Sequence, residues 1–107
     1  MSKGLNALQR IENTGRRNGS LESVYGRLDV LKRILESTQA HGGAPEPKLM
    51  YSSYLSYLQI DEYLSLLRTN YLLKYDRQAK TYRITARGLD FLASIRQMDS
   101  FMKSIEE

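Results

Sequence analysis

The chain has 107 residues, of which 41% are hydrophobic, enough for one modest core and therefore one domain. It has no Cys, so thiol chemistry, disulfides and cysteine-bearing zinc sites are excluded, and its one His, His41, reads as a solvent-exposed loop residue beside Gly42 and Gly43, where local sequence offers no partners for a triad or metal site. The formal net charge of +4 is concentrated in two places, Lys3, Arg10, Arg16 and Arg17 against Glu12, and Arg77, Lys80, Arg83 and Arg87 against Asp76.

Residues 1–19 read as a basic mobile arm, because the helical pattern of Leu5, Leu8 and Ile11 is brief and Gly15 and "RRNG" interrupt it. From Ser20 the pattern changes. Leu21, Val24, Leu28, Leu31 and Leu35, joined by Ile34, recur at three and four and predict an amphipathic helix to about Thr38, slightly weakened by Gly26. "AHGGAPEP" ends it, since its glycines and prolines oppose regular structure. A short second helix is expected near Pro47, a residue suited to a first helical turn, with Leu49 and Met50 inward.

Ser56 followed three residues later by Gln59 is a capping box, and Leu55 and Ile60 occupy the flanking positions of a hydrophobic staple. A third helix therefore begins there, with Ile60, Tyr63, Leu64 and Leu67 inward and Asn70 closing it in a left-handed conformation. "YLLKY" and "TYRI" read as two strands joined by the polar "DRQAK". Thr85 caps a fourth helix from about Ala86 to Ile105, near 30 Å long at about 1.5 Å per residue. Along it Phe91, Ile95, Met98, Met102 and Ile105 are separated by four, three, four and three, a short heptad seam.

Helix, helix, helix, hairpin, helix is the order of a winged helix-turn-helix. The expected fold is thus α+β, mostly α, with a winged domain over 20–93 and an extended C-terminal dimerisation helix whose distal part is 94–107. The stretch "LMYSSYLSYLQIDEYLSLLRTNYLLKYDRQAKTYRITARGLDFL", residues 49–92, also resembles a small archaeal winged-helix DNA-binding family, proteins of about ten kilodaltons that dimerise through a long C-terminal helix. The likeness lies in Met50 and Tyr51, "LSY", Tyr63 and Leu64, Asn70 before "LL", "YD", "TYRIT" and Gly88. It implies sequence-tolerant or operator-type double-stranded DNA binding by a homodimer, in transcription regulation or chromatin organisation; the residues themselves offer no catalytic constellation, and no cofactor or small-molecule ligand is expected. One departure stands out: the family's third helix usually carries outward Lys, where this chain has Leu58, Asp61 and Glu62.

The hairpin loop is the expected wing, with Arg77 and Lys80 on phosphates and Arg83 and Arg87 beside them. Ser53, Ser56, Tyr57 and Gln59 are the expected contacts of the third helix, because its first turn reaches the bases and its free amides favour anions. Arg16 and Arg17 add backbone affinity from the arm. Ile95, Met98, Phe101, Met102 and Ile105 form the expected dimer interface, since a body this small leaves little else to cover them. The eight Tyr also invite a base-stacking reading, but Tyr63 fits the core and Tyr75 and Tyr82 the hairpin, whereas Tyr51, Tyr54 and Tyr57 are less easily placed. A protein-interaction module, favoured by the acidic pair, is the alternative function. No apolar run reaches the roughly 18 residues of a membrane span and no signal peptide is visible, so a cytoplasmic, nucleoid-associated protein is expected.

Overall fold

Helix periodicity in the first long segment is realised as α1 (Arg17–Ala40), whose buried residues Leu31, Ile34, Leu35 and Thr38 share one face. The computed structural model describes residues 17–106; most of the expected arm, Arg16 included, lies outside them. Of the described part of the expected stripe, Leu31, Ile34 and Leu35 are buried. Leu28 is half-buried and Val24 exposed.

Gly42 and Gly43, both at positive φ, turn the chain after α1, and the Gly43 amide donates to the Thr38 carbonyl at 2.9 Å. The segment that follows is more regular than its composition predicts. Ala44 is fully buried and exchanges two backbone hydrogen bonds with Tyr82, of 3.0 and 2.8 Å, adding a one-residue third strand to the hairpin sheet. α2 (Glu46–Ser53) then buries Leu49, and α3 (Tyr57–Thr69) buries Ile60, Leu64 and Leu67, with Tyr63 half-buried beside them.

Both short helices end in the same way. After α2 the Leu55 amide donates to the Met50 carbonyl and the Tyr54 amide to that of Tyr51; after α3 the Leu72 amide donates to Leu67 and the Tyr71 amide to Arg68. This is the Schellman pattern, in which a residue in the left-handed region, usually glycine, satisfies the last free carbonyls. Here tyrosine takes that position twice, at Tyr54 (φ 59°) and Tyr71 (φ 61°). The left-handed residue after α3 is therefore Tyr71 and not Asn70, which sits at φ −95° and donates its side-chain amide to the Leu66 carbonyl. The capping box forms as expected: the Gln59 amide donates to Ser56 Oγ and the Ser56 amide to Gln59 Oε1.

β1 (Leu73–Asp76) pairs antiparallel with β2 (Thr81–Ile84) in the register Leu73 to Ile84, Lys74 to Arg83, Tyr75 to Tyr82 and Asp76 to Thr81. Leu73, Tyr75, Tyr82 and Ile84 thus share the face toward the helices, and the Tyr75 and Tyr82 rings lie 4.8 Å apart. α4 (Ala86–Glu106) starts against the base of this hairpin and places Leu92 and Ile95 in the core. It runs antiparallel to α1, since Lys32 Nζ meets Asp99 Oδ2 at 2.6 Å and Arg96 meets Glu36 at 3.0 Å. The hydrogen bond to Asp99 holds the Lys32 ammonium above its ordinary range. Part-exposed pairs of this kind contribute about 0–1 kcal/mol each, so they set helix register more than they hold the helices together.

Ile95 belongs to this core, at 2% exposure, which corrects its assignment to a dimer seam: α4 rotates it toward the protomer's own interior.

The start of α4 is the tightest junction. Thr85 donates both its amide and its hydroxyl to the Leu72 carbonyl, its hydroxyl also reaches the Tyr71 carbonyl, and the Gly88 amide donates to Thr85 Oγ1 at 2.9 Å. A Cβ on Gly88 would lie 2.2 Å from the Leu72 carbonyl oxygen and 2.7 Å from Ile84 Cγ1. Gly26, by contrast, is a helical glycine with open space around it. Gly88→Ala is expected to cost about 2–3 kcal/mol by forcing backbone apart, and Gly26→Ala to add about 0.5–1 kcal/mol through helix propensity. Chemical unfolding of the two variants checks both signs.

Candidate nucleic-acid interface

Two neighbouring surfaces bear on nucleic-acid contact: the outward side of α3 and the wing. On α3 the residues turned furthest from the core are Leu58, Glu62, Ser65 and Thr69, spaced four, three and four, with Asp61 and Arg68 also exposed. Only one cation, Arg68, accompanies two carboxylates there. It lies 6.0 Å from the centre of the Tyr75 ring, on the side of α3 that meets β1. Between these elements runs an open groove of about 430 Å³ whose lining includes Ser65, Arg68, Thr69, Tyr71 and Lys74.

The wing is built by Asp76. Its carboxylate accepts the amides of Gln78 and Ala79 at 3.0 and 3.1 Å, and its carbonyl accepts that of Lys80 at 2.7 Å, which winds residues 77–80 into one tight turn. The lone acid of this basic segment is thus occupied with turn geometry. Arg77 and Lys80 project from the turn and are exposed; Lys74 and Arg83 stand opposite each other on the outer face of the sheet. Directly opposed like charges weaken a strand pair by repulsion. Among the described residues none of these four cations is ion-paired with a carboxylate. Beneath them, burial pushes the Tyr82 phenol above its usual range, and the Glu46 carboxylate adds to the effect.

The remaining site residues divide. Ser56, Tyr57 and Gln59 are exposed at the start of α3, although Ser56 Oγ and Gln59 Oε1 are already acceptors in the capping box. What they can still offer a base or phosphate is the Ser56 hydroxyl proton and the Gln59 side-chain NH₂. Ser53 is placed otherwise: at 2% exposure it donates to the Leu49 carbonyl inside the domain, so the expectation that it touches DNA is corrected. Arg87 stands apart from the wing tip and lines a cleft of about 540 Å³ with Asn70, Asp90, Leu66 and Phe91. Arg17 is in the first turn of α1.

Arg68, Lys74, Ser65 and Thr69 were missed because the sequence offers them singly. The strand register opposes Lys74 to Arg83, and the approach of α3 to β1 brings Arg68 and Lys74 to one groove; period-two alternation in "YLLKY" was the available signal.

A protein-family model described as winged helix-turn-helix matches residues 26–103, most of the chain and nearly all of the elements above. No curated protein sequence matches.

Lys80 adopts φ 59°, where a side chain is strained and glycine is not. Lys80→Gly is expected to leave thermal stability unchanged or raise it by up to about 1 kcal/mol while removing one wing charge. A lowered melting temperature would contradict the turn geometry.

Proposed function

Because the chain belongs to the winged helix-turn-helix family, we propose that it is a double-stranded DNA-binding protein acting as a homodimer in transcription regulation or chromatin organisation. The observation that carries this reading is the wing: four exposed cations, Lys74, Arg77, Lys80 and Arg83, without a carboxylate partner among the described residues, on a rigid hairpin beside α3. The repulsion between Lys74 and Arg83 is relieved when a phosphate lies between them, so an anionic backbone is the partner that this arrangement favours. The first turn of α3 presents Ser56, Tyr57 and Gln59 to the same partner, and Arg68 extends the cationic surface along the groove. Arg16 and Arg17 are part of the proposal as backbone contacts of the N-terminal segment, and the narrower likeness to the archaeal family rests on residues 49–92.

Asp61 and Glu62 shape how the DNA is held. Carboxylates repel a phosphate-lined groove, so α3 lies over the duplex with its N-terminal turn nearest, and affinity comes chiefly from the wing. That acidic strip, with Leu58 exposed beside it, favours the second reading, a winged helix that binds another protein.

Dimerisation is supported by the far end of the α1–α4 pair. Beyond the Lys32–Asp99 contact, Val24 on α1 and Met98, Phe101 and Ile105 on α4 are exposed apolar residues, and Met102 and Leu28 are half-buried among them. Two such ends joined across a twofold axis would bury these side chains together, without Ile95, which the protomer already covers.

Replacing Arg77 and Lys80 together by Ala is expected to flatten the slope of log affinity against log salt by about 1.8, at about 0.9 per phosphate contact, and to weaken all duplex sequences alike. An unchanged slope would remove the wing from the interface, and absence of duplex binding by the wild-type chain at low salt would favour the protein-interaction reading. For assembly, Phe101→Lys places a charge in the apolar contact while leaving the protomer core intact. Sedimentation should show a dimeric wild type and a folded, monomeric variant; a monomeric wild type would contradict the dimer.

A further inference from the structure

The corner between α2 and α3 carries a concentration of aromatic surface that neither the core nor the wing uses. Tyr51 and Tyr54 are each 82% exposed, and among the described residues neither ring is paired with another aromatic ring. Large rings of this kind ordinarily bury much of their area. Tyr54 is also held in the left-handed conformation, at a position where glycine would cap α2 without strain. Tyr71 caps α3 in the same conformation and is also exposed, so the cap alone does not single out Tyr54; its place beside Tyr51 and under Arg33 does.

The surroundings define what that role can be. Tyr51 separates two recesses: one of about 560 Å³ lined by Met50, Tyr51, Tyr54 and Leu55, and one of about 440 Å³ lined by Pro47, Lys48, Tyr51 and Ser52. The first is an open recess that both tyrosines line together with half-buried Met50 and Leu55. The second has an exposed lysine at its edge. Arg33 lies over the Tyr54 ring, 5.5 Å from its centre, which orients that ring and adds positive charge. Among the described residues no carboxylate lines either recess. Aromatic recesses flanked by cations suit flat, uncharged rings strung on an anionic backbone, whereas an apolar protein segment would gain nothing from Lys48 and Arg33.

We propose that this corner is a stacking site for unpaired nucleotides, with one base on each side of the Tyr51 ring, Tyr54 flanking one of them and Lys48 meeting the connecting phosphate. Bases paired in a duplex present only their edges, so they cannot stack on these rings. The site is built from residues other than those of the wing.

The test is titration of the full chain with a single-stranded oligothymidylate, which forms no duplex. Tyrosine emission serves as the signal, because the chain has eight Tyr and no Trp to mask it. The expected result is saturable quenching by the oligomer. Tyr51→Ala should weaken its binding roughly tenfold or more, the loss of a base–aromatic stack, while Tyr51→Phe retains it. Tyr54→Gly should weaken it also, while keeping or raising the melting temperature, because glycine relieves the strained cap; a loss of binding in that variant cannot be attributed to unfolding. Duplex affinity, measured separately, should be unchanged by these substitutions and reduced by the Arg77 and Lys80 double substitution. Failure of oligothymidylate to bind, or equal binding by wild type, Tyr51→Ala and Tyr54→Gly, would overturn the proposal and leave the duplex reading standing. Loss of duplex binding alone would do the reverse. A change in sedimentation on Tyr51→Ala, without loss of oligomer binding, would assign the corner to a second copy of the chain and overturn it equally.

Discussion

The carbonyl of Leu72 is the point on which the arrangement of this domain depends. It accepts two hydrogen bonds from Thr85, and the missing Cβ of Gly88 lets the first turn of α4 settle directly onto it. Leu72 is itself the residue that completes the Schellman turn of α3. Three elements are therefore locked at one backbone group: the end of α3, the base of the wing and the start of α4. Because the wing hairpin is only four residues deep on each strand, fixing its base fixes the direction of its tip. The angle between the wing and α3, on which any simultaneous contact to one ligand depends, is set here and not by the charges that would make the contact.

Charge is partitioned accordingly. Cations sit where the backbone is most constrained, on the turn wound by Asp76 and on the strand pair Lys74 and Arg83, whereas α3 carries Asp61 and Glu62. A rigid cationic wing beside an acidic helix favours backbone contact with limited sequence reading in the proposed duplex complex, since phosphate contacts position a protein and base contacts specify its site. The aromatic corner between α2 and α3, the proposed single-strand site, is built from residues other than those of the wing.

Much of the fold was legible. Periodicity located α1 and α3, Pro47 marked α2, the spacing of Ser56 and Gln59 placed the start of α3 at its correct residue, and "DRQAK" and Thr85 marked the hairpin and the start of α4. What was not legible depended on contacts between distant segments. Ala44 joins the sheet only because α1 ends beside β2, and a loop rich in glycine and proline gives no hint of it. Ile95 fits a heptad and a core stripe equally well in sequence; packing of α4 on α1 decided for the core. Asn70 is a better left-handed former than Tyr71, yet the five-residue hydrogen-bond spacing of the cap selects Tyr71. Of the candidate site, the wing cations could be read from local composition. The burial of Ser53 and the groove joining Arg68 to Lys74 could not, because both follow from how α2 and β1 pack.

The central claim is that one duplex is held by the wing and the first turn of α3 together. Amide shift mapping by nuclear magnetic resonance, with an unlabelled duplex added to the isotope-labelled chain at low salt, tests it most directly. The account predicts the largest changes at residues 76–81 and 56–59, with smaller ones near Arg68 and Lys74 and none at Phe101 or Ile105. Changes confined to α4, or spread along Leu58, Asp61 and Glu62 with the wing unaffected, would contradict it.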